Sequence, residues 1–265
     1  MSSGPRKQPI LIGLWAVWLT ALAQPPVDAR AETLVSIELV LAVDTSLSVD
    51  DVEYDLQMTG IAKAFRTPEI VALIQQQSGV AVTLFQWSSE IDERYMIPWH
   101  LLHGPASVLS FADKVERAAR DPVRGFTAIG AAIDFGVGLI AENDFDGRRL
   151  KIDISGDGRN NTGVSPVVSR RGAEARGIAI NGLPILIDTF ALDTYYREKV
   201  IHGPGAFIEI ATDYRDFAQA FLRKLRREIA PMISQNDPPP GGRVGAADGA
   251  PYPGRQAASI TPARR

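Results

Sequence analysis

The stretch that decides the fold is Leu39-Val40-Leu41-Ala42-Val43-Asp44-Thr45-Ser46-Leu47-Ser48. A short apolar run rich in Val and Leu reads as a buried parallel strand, and its abrupt change to Asp and Ser marks a carboxyl end that delivers polar groups to a site. Asp44, Ser46 and Ser48 are those groups. Oxygen ligands two residues apart can point the same way from an extended or turning backbone, and one carboxylate with two hydroxyls suits a hard cation such as Mg²⁺. A purely local reading also stands, in which Ser48 caps the next helix and Asp51 completes a capping box.

Working outward, the strand spans residues 37–44 and a helix follows over 49–65, with Val52, Leu56, Ile61 and Phe65 near one face. Thr67-Pro68 interrupts it before a second helical stretch, 69–76. Residues 80–87 read as the second strand, 88–93 as an acidic turn, 94–99 as a short third strand and 105–120 as a helix. Ile129, Ile133, Val137 and Ile140 fall at helical spacing after the loop Arg124-Gly125-Phe126-Thr127. Strand 150–155 runs into Ser155-Gly156-Asp157-Gly158, where two glycines around one acid make a tight, exposed loop. A helix over 165–176, a strand over 178–187, a helix over 193–200, a sixth strand over 206–210 and a last helix over 214–229 complete the pattern. The last helix repeats Phe217, Phe221, Leu225 and Ile229 every four residues.

Strands alternating with helices predict an α/β fold: a doubly wound, mainly parallel, six-stranded sheet with helices on both faces. In such sheets ligands bind beyond the carboxyl ends of the strands, where the strand order reverses. Asp44 and Asp157 each follow a strand end and should point to that rim. Asp153, inside its strand, reads as a partnered core group.

The Asp-x-Ser-x-Ser run after a hydrophobic strand resembles the first element of the metal-ion-dependent adhesion site (MIDAS) of von Willebrand factor type A (vWA) domains. Thr127, in a Gly-x-Thr loop entering a helix, matches the second element, and Asp157, in an Asp-Gly just past a strand, matches the third. The resemblance covers about 37–229. The Ser-Gly-Asp-Gly-x-Asn-Asn run and the His202-Gly203-Pro204-Gly205-Ala206-Phe207 turn also look like an uncharacterised branch of exported bacterial proteins with this fold. The resemblance implies that the strands of Asp44 and Asp157 lie side by side. It implies further that Asp44, Ser46, Ser48, Thr127 and Asp157 hold a divalent cation, directly or through water. Mg²⁺ is the first choice, and Mn²⁺ or Ca²⁺ also fit. The partner it implies is a protein whose Asp or Glu fills an open coordination position. Phe126 departs from the pattern, since a small residue is common there. Taken locally, Thr127 reads as an N-cap and Asp157 as a turn acid, while Asn160 and Asn161 read first as turn formers and, as the alternative, as adding hydrogen bonds near the rim.

Composition narrows the alternatives. A content of 45% hydrophobic and 22% charged residues is an ordinary globular balance, and without cysteine no disulfide or thiolate site is available. With leader and tail set aside, the body over 32–233 is more acidic than the whole chain's net −3, which argues against a nucleic-acid partner and fits a cation site. Arg6 and Lys7 precede an apolar segment, Ile10 to Ala23, that reads as a secretory signal peptide over 1–31, cleaved after Ala23 or Ala31. The remaining divisions are a vWA-like domain over 32–233 and, over 234–265, a Pro, Gly, Ala and Arg tail that reads as disordered. No later segment predicts a membrane span, so the mature chain is expected to be exported, either periplasmic or secreted.

Two rival functions remain at this level. A metal-dependent phosphoester hydrolase would use Ser46 as nucleophile, but His100, His103 and His202 show no ligand spacing, and Ser46 stands where an Asp-nucleophile phosphatase wants a second Asp. The chain therefore reads as a non-enzyme. The other rival is a structural or sensory module that keeps the fold without metal.

Overall fold

The computed structural model describes residues 32–187 and 189–231. The signal peptide over 1–31 and the tail over 234–265 of the sequence reading lie outside the described residues. In chain order the elements are β1 (Thr33–Val35), β2 (Ile37–Asp44), α1 (Asp51–Arg66), α2 (Pro68–Gln75), β3 (Val80–Trp87), β4 (Ile97–Leu102), α3 (Pro105–Glu116), α4 (Ile129–Ala141), β5 (Phe145–Gly147), β6 (Leu150–Gly156), α5 (Pro166–Glu174), β7 (Ala179–Pro184), α6 (Leu192–Tyr195) and α7 (Phe217–Ile229). A π-helical turn, Tyr196–Val200, continues α6.

The main sheet has the order β4-β3-β2-β6-β7. β2 pairs in parallel with both β3 and β6, β6 pairs in parallel with β7, and only β4 runs antiparallel. From β2 the chain builds outward first through β3 and β4, then returns to the other side of β2 with β6. The switch of direction therefore falls between β2 and β6. The expected sixth strand lies along the free edge of β7 as isolated parallel bridges, Gly182 to Ile208 and Ile185 to Ala211.

Strand alternation divides the core into two layers. Ile37, Leu39, Leu41 and Val43 face α1, α2, α3 and α7, while Val40 and Ala42 face α4 and the segments around α5 and α6. All eight residues of β2 are buried, as a strand covered on both faces requires. The α7 repeat Phe217, Phe221, Leu225 and Ile229 is buried against the sheet as its spacing predicts.

Several local expectations shift. α1 buries Tyr54, Gln57, Met58, Ile61 and Phe65, whereas Val52 and Leu56 are exposed, so its inward face is rotated from the expected one. The N-cap is Asp50, reciprocally bonded with Glu53 in a capping box, and not Ser48 with Asp51. Residues 93–95 form a 3₁₀ turn, which delays β4 to Ile97. β1 and β5 form a small parallel pair outside the main sheet. Gly147 comes close to Glu38 there, and its N–H donates to Glu38 Oε1 at 2.7 Å.

One charged cluster is fully enclosed. Lys224 of α7 reaches Asp153 of β6 at 2.5 Å and Glu228 at 2.7 Å, and Asn181 of β7 donates to the same Glu228 oxygen at 2.8 Å. Asp153 is thus the partnered core group that its strand position suggested. Burial pushes its carboxyl up to about 7 against the pull of Lys224. Burial alone would lower Lys224, but Asp153 and Glu228 outweigh it and hold the ammonium above its ordinary value.

Candidate metal centre

Asp44 ends β2 and is completely buried, with Trp87 of β3 as its lateral partner. The chain turns at once: the Ser46 N–H donates to Asp44 Oδ1 at 2.8 Å and the Val49 N–H to the Ser46 carbonyl at 3.0 Å. This turn folds Ser46 and Ser48 back over the strand end, and their hydroxyl oxygens lie 3.2 Å apart. Because Asp50 caps α1, the Ser48 hydroxyl is released from capping and donates to Asp157 Oδ1 at 2.6 Å. That distance is typical of a hydroxyl bonded to a charged oxygen.

Asp157 follows β6, the strand beside β2, as the resemblance implied. Its second oxygen, Oδ2, accepts the Tyr214 hydroxyl at 3.1 Å. Thr127 arrives on the loop before α4 and its hydroxyl lies 3.5 Å from Ser46 Oγ. It is not the helix cap: α4 starts at Ile129 after Ala128, and no side chain from its own loop caps it. Asn160 does so from across the site, its Oδ1 accepting the Gly130 N–H at 3.1 Å. Asn161 clamps Thr127 in both directions, its Oδ1 accepting the Thr127 N–H and its N–H donating to the Thr127 carbonyl, each at 2.9 Å. The two asparagines therefore position the threonine loop, a role beyond turn formation.

The structure thus brings Asp44, Ser46, Ser48, Thr127 and Asp157 into one cluster at the switch point. The sequence reading missed Tyr214 as a support, along with Gln57, whose side chain donates to the Asp44 carbonyl at 3.2 Å. Asn160 and Asn161, one residue past the Asp157-Gly158 pair, did leave a signal, as candidate hydrogen-bonding groups near the rim.

The electrostatics of the cluster are unbalanced. Asp44 Oδ2 is buried and accepts no hydrogen bond among the described residues. Burial, and after it the charge of Asp157, pushes the Asp44 carboxyl up to about 7. A methyl group on Gly156 would lie 2.6 Å from that same oxygen and 3.0 Å from the Tyr196 hydroxyl, so glycine keeps the space beside the orphan oxygen open. Among the described residues no three His, Cys, Asp or Glu side chains cluster. The donor set is instead two carboxylates with three hydroxyls, all hard oxygen ligands that fit a cation such as Mg²⁺. Beside it opens a cavity of about 390 Å³ lined by Ser48, Glu53, Thr127, Asp157, Arg159, Asn161 and Ile187.

The family described as "Protein of unknown function (DUF1194)" matches residues 34–233. Among curated proteins nothing matches. Solved structures with the same fold include proximal thread matrix protein 1 from the mussel byssus, at 14% identity and a TM-score of 0.53, covering 75% of this chain and 47% of that one. The pilus adhesin SpaC from Lactobacillus rhamnosus GG matches at 14% identity and a TM-score of 0.54, over 73% of this chain and 30% of that one. A von Willebrand factor type A protein from Catenulispora acidiphila matches at 13% and 0.50, over 73% and 42%. A further structure of the mussel protein, at 11% and 0.50 over 76% and 47%, has a zinc-occupied MIDAS motif. The chain spans about half or less of the length of these proteins. At such identities the likeness establishes the vWA fold and nothing finer.

Proposed function

The chain belongs to the DUF1194 family, described as of unknown function, and we propose that it is a non-enzymatic, divalent-cation-dependent protein-binding module. The observation that carries this reading is Asp44 Oδ2, a buried carboxylate oxygen without a hydrogen bond among the described residues, on the strand end over which the hydroxyls of Ser46, Ser48 and Thr127 gather. An unpartnered buried carboxylate is costly, and a cation offsets that cost. Asp44, Ser46 and Ser48 would hold the ion, with Thr127 and Asp157 acting directly or through water. When bound, the ion supplies a Lewis-acidic position for a partner's carboxylate. Mg²⁺ is the first candidate, and the zinc-occupied MIDAS motif of the mussel protein supports a divalent ion in this fold.

The histidines support the non-enzymatic reading. His100 pairs with Val82, His103 follows β4 where Leu102 meets Val80, and His202 bridges Ile180. All three lie toward the opposite pole of the sheet from the Asp44 to Trp87 end, leaving Ser46 without a histidine base. No helix among the described residues is long and apolar enough to cross a membrane. Together with the leader read at 1–31, this supports a domain over 32–233 that works after export, in the periplasm or outside the cell.

The test is the thermal midpoint of the protein in chelator and then in excess Mg²⁺ or Mn²⁺. A ligand at 100 times its dissociation constant adds about 2.7 kcal/mol. A rise in the wild type that vanishes in Asp44→Ala supports the site. Equal midpoints in chelator and metal would favour the metal-free module.

A further inference from the structure

Between α3 and α4 the chain forms no regular element, yet residues 118–125 are bonded along their length. The Tyr54 hydroxyl of α1 donates to the Ala118 carbonyl at 3.1 Å. Gln86 of β3 donates to the Ala119 carbonyl and accepts the Asp121 N–H, both at 2.8 Å. Asp121 Oδ1 in turn accepts the Val123 N–H at 2.8 Å across Pro122, whose ring fixes its own backbone angle. A methyl group on Gly125 would collide with the Ser89 hydroxyl, so glycine lets the segment lie directly against the loop after β3. The segment is therefore a fastened strap, and it leads straight into Thr127.

The strap grips the turn that carries Ser46 and Ser48 at two points. The Leu47 N–H donates to the Gly125 carbonyl at 3.0 Å, and one terminal nitrogen of Arg120 donates to the Val49 carbonyl at 2.5 Å. Leu47 and Val49 are the two neighbours of Ser48, so the backbone on either side of that hydroxyl is tied to the chain that delivers Thr127. The other terminal nitrogen of Arg120 reaches Asp51 Oδ1 at 2.7 Å, and Arg124 reaches the same oxygen at 2.6 Å. The Asp51 side chain is 80% exposed, and ion pairs that open to water contribute little to stability. Arg120 itself is only 11% exposed, lying over the Tyr54 ring at 5.6 Å, and its buried bond is the one to the Val49 carbonyl.

We propose that Arg120 is a positioning residue for the cation site. By holding the Val49 carbonyl it fixes where the Ser46 and Ser48 hydroxyls stand relative to that of Thr127, and so sets the affinity for the ion. Arg120 bonds none of the five donor side chains, and its charge opposes a nearby cation; its contribution to affinity runs through geometry alone. Groups that hold a ligand from behind commonly change metal affinity by about 10–100-fold. This inference rests on the metal-dependent reading above.

The experiment is Mg²⁺ titration calorimetry at 25 °C on the wild type, Arg120→Met and Arg124→Met, with the thermal midpoint of each in chelator as the check on folding. Both arginines bond the same Asp51 oxygen, so each variant removes one positive charge from the same place, and electrostatics alone would tighten Mg²⁺ in both. The expected result is a loss of at least about tenfold in affinity for Arg120→Met and an affinity within about twofold of the wild type, or tighter, for Arg124→Met. The Mn²⁺ electron paramagnetic resonance spectrum should change in Arg120→Met alone, since it reports the arrangement of the ligands. A merely structural role would lower the chelator midpoint and leave both the affinity of the folded protein and the spectrum unchanged. That outcome, or equal effects in the two variants, would overturn the inference. If Arg120→Met does not fold, Tyr54→Phe carries the test: it frees the Ala118 end of the strap, and it should weaken Mg²⁺ severalfold, with unchanged affinity overturning the inference. A wild type that binds no Mg²⁺ would show that the metal reading itself is wrong, whereas a wild type that binds as tightly as Arg120→Met would show that only the positioning role is wrong.

Discussion

Replacing Asp44 by Asn should have opposite effects with and without metal. In the metal-free protein the Asp44 carboxyl is raised from 3.8 to about 7, first by burial and then by Asp157. At pH 8 the folded state therefore holds a charge that the unfolded state carries more comfortably. A shift of about three units corresponds to a penalty on the order of 4 kcal/mol. Asparagine keeps an oxygen to accept the Ser46 N–H but removes the charge, and its new amide donor must find an acceptor beside Gly156 and Tyr196. Part of the relief is lost there, which leaves an expected gain of about 1–3 kcal/mol in chelator. In a domain of this size that raises the midpoint by roughly 2–10 °C. In saturating Mg²⁺ the order reverses: the wild type gains its metal-dependent increment and Asp44→Asn gains none. Thermal unfolding of both proteins at pH 8, in chelator and in Mg²⁺, reads both signs. A variant that is less stable in chelator yet still stabilised by Mg²⁺ would refute the argument, because Asp44 would then be a structural hydrogen-bonding group and not a ligand.

The Gly156→Ala substitution places a methyl group 2.6 Å from Asp44 Oδ2. It is expected to cost about 1–3 kcal/mol by overpacking and to abolish the Mg²⁺-dependent midpoint shift; a shift of wild-type size would show that this oxygen does not face the ion. Tyr214→Phe removes the donor to Asp157 Oδ2 and should destabilise the metal-free protein by about 1–3 kcal/mol. Because Asp157 is then less firmly held, Mg²⁺ affinity measured by calorimetry should fall, and an unchanged affinity would confine Tyr214 to a packing role. For the buried cluster under α7, Asp153 has a folded pKa of about 7 against 3.8 unfolded, so the folded state binds the extra proton between those values. Its stabilising contribution is present at low pH and is lost as pH rises through about 7. Denaturant unfolding in chelator should show the wild type gaining stability relative to Asp153→Asn as pH falls from 7.5 to 5.5, and equal slopes would contradict the assignment.

Periodicity made the fold legible where side chains alternate or recur strictly. β2 and β3 form over the ranges their apolar runs predicted, and the α4 and α7 faces follow their spacing. Misreadings arose where a polar or small residue carries the packing. On α1 the buried positions include Gln57 and Gly60. Gln57 turns inward to bond the Asp44 carbonyl, and Gly60 lets α7 approach at Phe217 and Ala218, neither of which a hydrophobic pattern records. Residues 206–210 have strand-like composition, yet they meet β7 only at isolated bridges.

The five candidate site residues were legible because each ends an element or sits in a short motif, and the structure gathers them at one rim. The supports that lie far along the chain were not. Tyr214 lies 57 residues beyond Asp157, and its relation to that carboxylate exists only once α7 has packed. Asp50 was overlooked as the cap of α1 because Ser48 offered an equally good local motif. The competition is settled by Asp157, which draws the Ser48 hydroxyl toward the site.

The central claim is that Asp44, Ser46 and Ser48 form a cation site at the end of β2. The most direct measurement is anomalous diffraction from crystals of the protein grown in Mn²⁺. The account predicts a single strong anomalous peak within coordination distance of Asp44 Oδ2 and the hydroxyls of Ser46 and Ser48, absent from Asp44→Ala crystals grown the same way. A map with no peak at the strand end, or with a peak that persists without the Asp44 carboxylate, would contradict it.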